Sequence, residues 1–300
     1  MLPVTVALVV VAAVLHAAWN ILLKTSGDPL QMSARASGIS AAVATPCTAF
    51  AWFLLGRPSL TVHTWTLSLF SGITELAYFM LLSAAYQRGE LSVVYPLARG
   101  TAPLLAVVTG TVVLHEQPGT RQLIAIACLL AGIWGARRPS LSGPAVVPAL
   151  LTGVAIATYS TIDAVGVRQA PPWLFGWSLW AITAVLLNTV VWVRERIKLR
   201  RSRHRSDGDA VPHPRPAHAA SGGWLGSGIV GMLIMTAYLM VLTALSIAPL
   251  TVVAPLRESA IVLVTIWGVW RLRERAEVLT RLAGAAAITV GAALLGSGST

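Results

Sequence analysis

The sequence predicts an all-α integral membrane protein, with ten transmembrane helices arranged as two inverted five-helix repeats. Three observations carry this expectation. Only 11% of the 300 residues are charged and 56% are hydrophobic, whereas a soluble domain is about 25% charged. Apolar segments of about 20 residues, each long enough to cross a hydrocarbon core of about 30 Å, recur from end to end. The second half of the chain also repeats the pattern of the first.

The segments divide at 3–23, 33–55, 64–86, 92–114, 120–136, 145–168, 173–193, 223–246, 250–271 and 278–297. The first has no Lys or Arg among its leading residues and runs past His16 into WNILLK. It therefore reads as a retained helix rather than a cleaved signal peptide. Cys47 and Cys128 both fall in apolar spans without metal-ligand spacing, and read as small packing residues. Most of the eleven tryptophans sit at span ends, as an interfacial belt requires. Trp65, Trp173 and Trp224 belong to that belt.

The net charge of +11 raises the question of nucleic acid, but the basic residues lie in the connections between spans. Of 22 Lys and Arg, seventeen fall in or beside the odd-numbered connections, three in the even ones, and Arg99 and Arg257 inside spans. Because Lys and Arg accumulate on the cytoplasmic side, this bias puts both termini outside the cytoplasm. The connection RERIKLRRSRHRSDGDAVPHPRPAHAASGG (194–223) is the one long hydrophilic stretch. Its composition cannot bury a core, so disorder is expected. It serves either as a topology anchor or as a basic patch for anionic lipid headgroups. His204, His213 and His218 within it have no metal-site spacing.

The repeat is visible when AYFMLLSAAYQRGELSVVYPLARGTAP (77–103) is set above AYLMVLTALSIAPLTVVAPLRESAI (237–261). Ala77-Tyr78 falls on Ala237-Tyr238 and Met80 on Met240. After a one-residue gap, LSVVYPL (91–97) falls on LTVVAPL (250–256), and His115-Glu116 matches Arg273-Glu274 in kind. The expected halves are residues 1–138 and 144–297. Five spans per half is an odd number, so the second half must enter the membrane inverted. Such halves are related by a pseudo-twofold in the membrane plane, with a site near the midplane where they meet.

LHAAWNILLK (15–24), YPLARGTAPLL (95–105), YSTIDAVGVR (159–168) and APLRESAIVLV (254–264), set in two five-helix halves, resemble the drug/metabolite transporter superfamily. Within it the chain is similar to the bacterial EamA-type branch. The resemblance implies a basket-like fold around a central cavity, alternating access, and small metabolites as cargo. The long basic connection 194–223 departs from the compact family pattern.

Intramembrane ionic groups are the candidate site. A charge at the bilayer centre costs roughly 2.5–3.5 kcal/mol, so Arg257 and Glu258, adjacent in VVAPLRESAIVLV (252–264), need partners or water. Aligning Pro96 with Pro255 puts Arg99 and Glu258 at repeat-related positions, so these two are expected to pair across the pseudo-twofold. Pro96, Arg99, Gly100 and Pro103 share one helical face. The prolines and glycine there also free backbone carbonyls, which is tolerated where backbone lines a cavity. The pair is either a static clamp between halves or a gate that touches cargo.

Glu75, near the middle of span 3, is a partner for Arg257 or a group that changes protonation. Asp163, a turn before Arg168, is a helix-end carboxylate paired with that arginine or a third membrane acid. Three acids against two bases leave one carboxylate over, as proton coupling requires. His16 and Asn20 stack on one face of span 1 beside Trp19. His16 accepts a proton, binds cargo, or hydrogen-bonds across helices, and Asn20 is expected to bind a neighbouring helix. Tyr95, before Pro96, is within reach of the expected cavity, and Asn188 is expected to join helices.

No Walker loop, HExxH or Gly-x-Ser-x-Gly pattern occurs, and the GxGxxG formed by Gly226, Gly228 and Gly231 falls inside an apolar span, not in a loop after a strand, so neither ATP, metal nor other cofactor is expected. The expected partners are a small-molecule substrate, the lipid bilayer and a coupling proton, with a homodimer left open and no nucleic acid. The reading is a secondary carrier of the bacterial cell membrane and not an enzyme. An intramembrane enzyme acting on a lipid or lipid-linked substrate is the alternative.

Overall fold

The computed structural model describes residues 2–89, 91–136, 143–206 and 223–258, with isolated helical positions between 283 and 294. Nine helices occur among the described residues: α1 (Leu2–Lys24), α2 (Pro29–Leu54), α3 (Val62–Arg88), α4 (Leu91–Val112), α5 (Thr120–Ala136), α6 (Val146–Gly166), α7 (Pro172–Ser206), α8 (Trp224–Ile247) and α9 (Leu250–Arg257). Six of them (α1, α2, α3, α6, α7 and α8) contain stretches long and apolar enough to span a membrane. Of the expected span 278–297 only isolated helical positions are described, and the expected span 250–271 is described only as far as Glu258.

Local chemistry sets the boundaries. Gly27 takes φ +81°, which suits a residue without Cβ. Asp28 then caps α2 by accepting from the Gln31 amide at 3.2 Å, and Pro29 occupies the first turn, where its missing N–H is no loss. Thr61 caps α3 in the same manner through the Thr64 amide. Ala248 is extended ahead of Pro249, as a residue preceding proline prefers, and this separates α8 from α9.

The exterior is apolar and the interior unusually polar. Phe50, Phe53, Leu69, Phe70, Ile73, Val108, Leu123, Val154 and Val185 point outward, while Glu75, Arg99, Asp163, Arg257 and Glu258 are all buried. This pattern identifies a multi-pass membrane protein, whose outer surface faces hydrocarbon. Trp19 and Trp180 are fully buried core residues, unlike the belt tryptophans Trp65 and Trp224, which are exposed. Cys47 is exposed on α2 rather than packed inside, because this part of the helix faces outward.

Helix α7 corrects the expectation of disorder over 194–223. It continues through Arg194–Ser206, making a 35-residue helix. This stretch holds Arg, Glu, Lys and Leu, all good helix formers, and no Gly or Pro. Extending an existing helix also avoids the nucleation step. Residues 207–222 lie outside the described residues.

Packing follows a regular scheme. α1 packs on α8, α3 on α6, α2 on α7 and α8, α3 on α7, and α4 on α6 and α9. α2 and α7 run antiparallel: Trp177 Nε1 donates to Thr45 Oγ1 (3.1 Å), Trp180 Nε1 to Ser40 Oγ (2.9 Å), and Asn188 Nδ2 to the Ala34 carbonyl (2.8 Å). Asn188 thus joins two helices as expected. α4 and α9 are also antiparallel, since Arg99 meets Glu258 while Gly110, later in α4, lies against Thr251. By contrast α3 and α7 run parallel, with Ser68 bonded to Ser178 and Glu75 to Thr183. α2 and α8 do likewise, through Ser227 to Met32 Sδ and Gly231 against Ala36.

Connections of like parity meet at the same end of the bundle. At one end Lys24 donates to the Tyr86 and Gly89 carbonyls, and Arg194 pairs with Asp28 at 3.1 Å. At the other, His63 bonds Gln169 and Arg168 pairs with Glu116.

Close helix contact at α2–α8 requires a residue without Cβ, because a Cβ on Gly231 would run into the Ala36 carbonyl. Gly231→Val is expected to lower the stability of the detergent-solubilised protein by about 1–3 kcal/mol, the usual range for overpacking. Gly228→Ala, whose added Cβ would meet only Ile39 at 3.9 Å, is expected to change it little. Thermal unfolding of the two variants checks the contrast.

Candidate functional site

α4 and α9 cross where their repeat-related charges lie. Arg99 Nη1 sits 3.0 Å from Glu258 Oε1, and Arg257 Nε lies 3.5 Å from the same oxygen. All three side chains are at most 6% exposed. The expected Arg99–Glu258 pair is therefore formed. Arg257 turns to Glu258 and not to Glu75, so of the two readings of Glu75 the pairing with Arg257 is not formed. The reason is local: Glu258 is its neighbour in sequence, and Glu75 is held elsewhere. Glu258 Oε2 is buried and has no hydrogen-bond partner among the described residues. Two guanidiniums thus converge on one carboxylate in a low-dielectric setting.

The other two acids form a separate hydroxyl-lined group. Asp163 Oδ1 accepts from Ser71 Oγ at 2.5 Å, and Oδ2 accepts from the Tyr238 hydroxyl. Arg168, expected as its partner, instead reaches Glu116, so Asp163 is not a helix-end ion pair. Glu75 Oε2 accepts from Thr183 Oγ1 at 3.0 Å. Ser71 and Glu75 are one turn apart on α3, which places both acids along one helix face. Thr183 has one proton but also lies 3.0 Å from the Leu179 carbonyl. A protonated Glu75 would donate to Thr183 and release that hydroxyl to its own helix.

Around these groups five aromatic side chains close a ring of edge and tilted contacts. Tyr78 meets Phe79 (4.9 Å between centroids), Phe79 meets Trp180 (6.2 Å), and Trp180 meets Tyr238 (6.1 Å). Tyr238 meets Tyr159 (6.3 Å), which returns to Tyr78 (5.8 Å). They come from α3, α6, α7 and α8. Sequence reading noticed Tyr78 and Tyr238 only as repeat markers; their matched positions were the available signal.

His16 Nδ1 bonds the Ala12 carbonyl of its own helix at 3.1 Å and touches Trp19 edge-on. The expected cross-helix bond of His16 is thus replaced by one inside α1. Asn20 does reach a neighbouring helix, accepting from the Tyr86 hydroxyl at 3.1 Å. Tyr95 is helical in α4, and its side chain falls outside the described part.

Glu116 is a further site residue that sequence reading passed over. Its Oε1 accepts from the Leu250 amide (2.8 Å) and its Oε2 from the Thr251 amide (2.9 Å), at the start of α9. Arg168 completes the cluster at 3.0 Å. A carboxylate on orphan amides at a helix N-terminus is favourable both as a cap and with the helix dipole. The carboxylate ties the α4–α5 turn to α9 and to the end of α6. Among the described residues no group of three or more His, Cys, Asp or Glu is placed to hold a metal.

Comparison with known proteins supports the membrane reading. One solved structure, titled only "Crystal structure of protein", matches with a TM-score of 0.64 at 18% identity, covering 97% of this chain and 95% of that one. At that identity the likeness concerns the fold alone. No curated protein matches the chain. The family model described as "EamA-like transporter family" matches residues 4–138. Over residues 4–138 the chain is thus similar to the EamA-like transporter family.

Proposed function

We propose that the protein is a secondary carrier of ten helices in two inverted halves that exports a small polar or amphiphilic metabolite by alternating access. The observation that carries this reading is the buried Arg99–Glu258 contact between antiparallel helices α4 and α9, at positions the internal repeat equates. An in-plane pseudo-twofold makes every helix that lies on it meet its own equivalent head to tail. α4 with α9, and α2 with α7, both do so. The sites near such an axis are the ones at which rocking halves separate and rejoin.

In this reading Arg99, Arg257 and Glu258 form the gate and the charged groups that face the cargo. Glu75 and Asp163, held by Thr183, Ser71 and Tyr238, form the proton-responsive group, and His16 on α1, near Arg99 and Arg257, is a third member of the site together with Asn20. Glu116 latches the extracytoplasmic end in the conformation seen here, by holding α9 and Arg168. The bacterial cell membrane is the location, with both termini outside the cytoplasm, as the distribution of basic residues indicates.

Counterflow of radiolabelled metabolites in proteoliposomes tests the carrier reading: exchange of an unmodified compound supports it, and a covalently altered product contradicts it. Glu258→Gln is expected to abolish most exchange and to destabilise the protein by about 3–5 kcal/mol, since it strands two buried arginines. The swap Arg99→Glu with Glu258→Arg is expected to recover a substantial part of both. Recovery of stability without exchange would show a static clamp instead of a gate. Asp163→Asn and Glu75→Gln are expected to keep counterflow while losing the acceleration that an imposed proton gradient gives the wild type. Unchanged gradient response in both variants would rule out these two acids as the coupling group.

A further inference from the structure

The cytoplasmic extension of α7 has a face that the carrier mechanism does not use. About 20 residues cross the hydrocarbon core, so from Pro172 the apolar crossing ends near Trp192. The helix nevertheless continues to Ser206, and residues 194–206 hold seven Lys and Arg against one Glu. The charges sort by face. Arg194 pairs with Asp28 and Lys198 with Glu195. Among the described residues Arg196 and Arg200 face no carboxylate. They lie one turn apart on the same stripe as Trp192, over which the Arg196 guanidinium stacks at 5.1 Å.

Among the described residues, Trp192, Val193, Arg196, Ile197, Leu199 and Arg200 line a groove of about 530 Å³. Its apolar members are open: Trp192 is 58%, Ile197 46% and Leu199 58% exposed. Arg196 and Arg200 stand about 6 and 12 Å beyond Trp192 along the axis. Side chains on a helix lean toward its N-terminus, here back toward the bilayer, so both guanidiniums reach the headgroup layer.

We propose that this groove binds the phosphate of an anionic phospholipid, with Arg196 and Arg200 on the headgroup and Trp192, Ile197 and Leu199 against its upper acyl region. A polyanion approaching from the cytoplasm, such as RNA, would satisfy the arginines but leave the three apolar side chains unmatched. A lipid satisfies both. The proposal needs neither the gate nor the proton group, so it stands independently of the transport reading.

Native mass spectrometry of the purified full-length protein tests it, with phosphatidylglycerol and phosphatidylcholine of identical acyl chains added at equal concentration. The wild type is expected to retain phosphatidylglycerol preferentially. Arg196→Gln with Arg200→Gln is expected to lower that retention by about fivefold per residue removed. Arg196→Lys with Arg200→Lys, which keeps the charge, is expected to restore most of it. Lys198→Gln, whose amine is already paired, is expected to change it little. Equal retention of the two lipids, or an unaltered preference in the double glutamine variant, would overturn the assignment. So would arginine-dependent binding of a short RNA oligonucleotide that displaces the lipid.

Discussion

An ion buried in a low-dielectric interior demands a partner, and that demand organises this protein. A carboxylate or guanidinium taken from water into such surroundings loses several kcal/mol of solvation, which only close pairing and hydrogen bonds offset. Glu258 answers the requirement for two arginines at once, Arg99 from α4 and its own neighbour Arg257. One carboxylate oxygen takes both contacts and the other is left without a hydrogen bond among the described residues. Such an arrangement holds α4 against α9, and in the proposed carrier it is incomplete enough to exchange partners with an arriving solute.

The remaining architecture places that pair and protects it. Small residues bring helices close where the interior needs to be dense, as Gly153 does against Ala98 and Thr101 and Gly110 does beside Thr251 and Glu116. Hydroxyls and amides then satisfy polar groups helix to helix: Ser71 and Tyr238 on Asp163, Thr183 on Glu75, Tyr86 on Asn20. The two ends differ in kind. One is tied by Lys24 on the carbonyls closing α3, the other by Glu116 on the amides opening α9. Each uses the charge that the exposed helix terminus favours.

Residues whose meaning is local were legible in the sequence. The helices from α1 to α8 begin within about four residues of the expected spans, because hydropathy marks those starts. The Arg99–Glu258 pair could be read from proline register alone, since the repeat supplies the long-range relation that one sequence usually lacks. Glu116 and the aromatic ring could not. Their roles exist only after α9 swings beside α4, and after four helices gather Tyr78, Phe79, Tyr159, Trp180 and Tyr238. The α7 extension was misread for another reason: charge and polarity argued for disorder, yet a helix already formed needs only favourable propensity to continue. The arginine partners considered for Asp163 and Glu75 are not the ones found, because hydroxyls on neighbouring helices hold both carboxylates.

The pair itself can be measured apart from any substrate. A double-mutant cycle on Arg99→Gln and Glu258→Gln, read as unfolding free energy in detergent, isolates its coupling. If the two groups meet across the halves, each single variant strands a buried charge and the double variant loses far less than their sum. Additivity within about 0.3–0.5 kcal/mol would mean that the residues act independently, and would contradict the account at its centre.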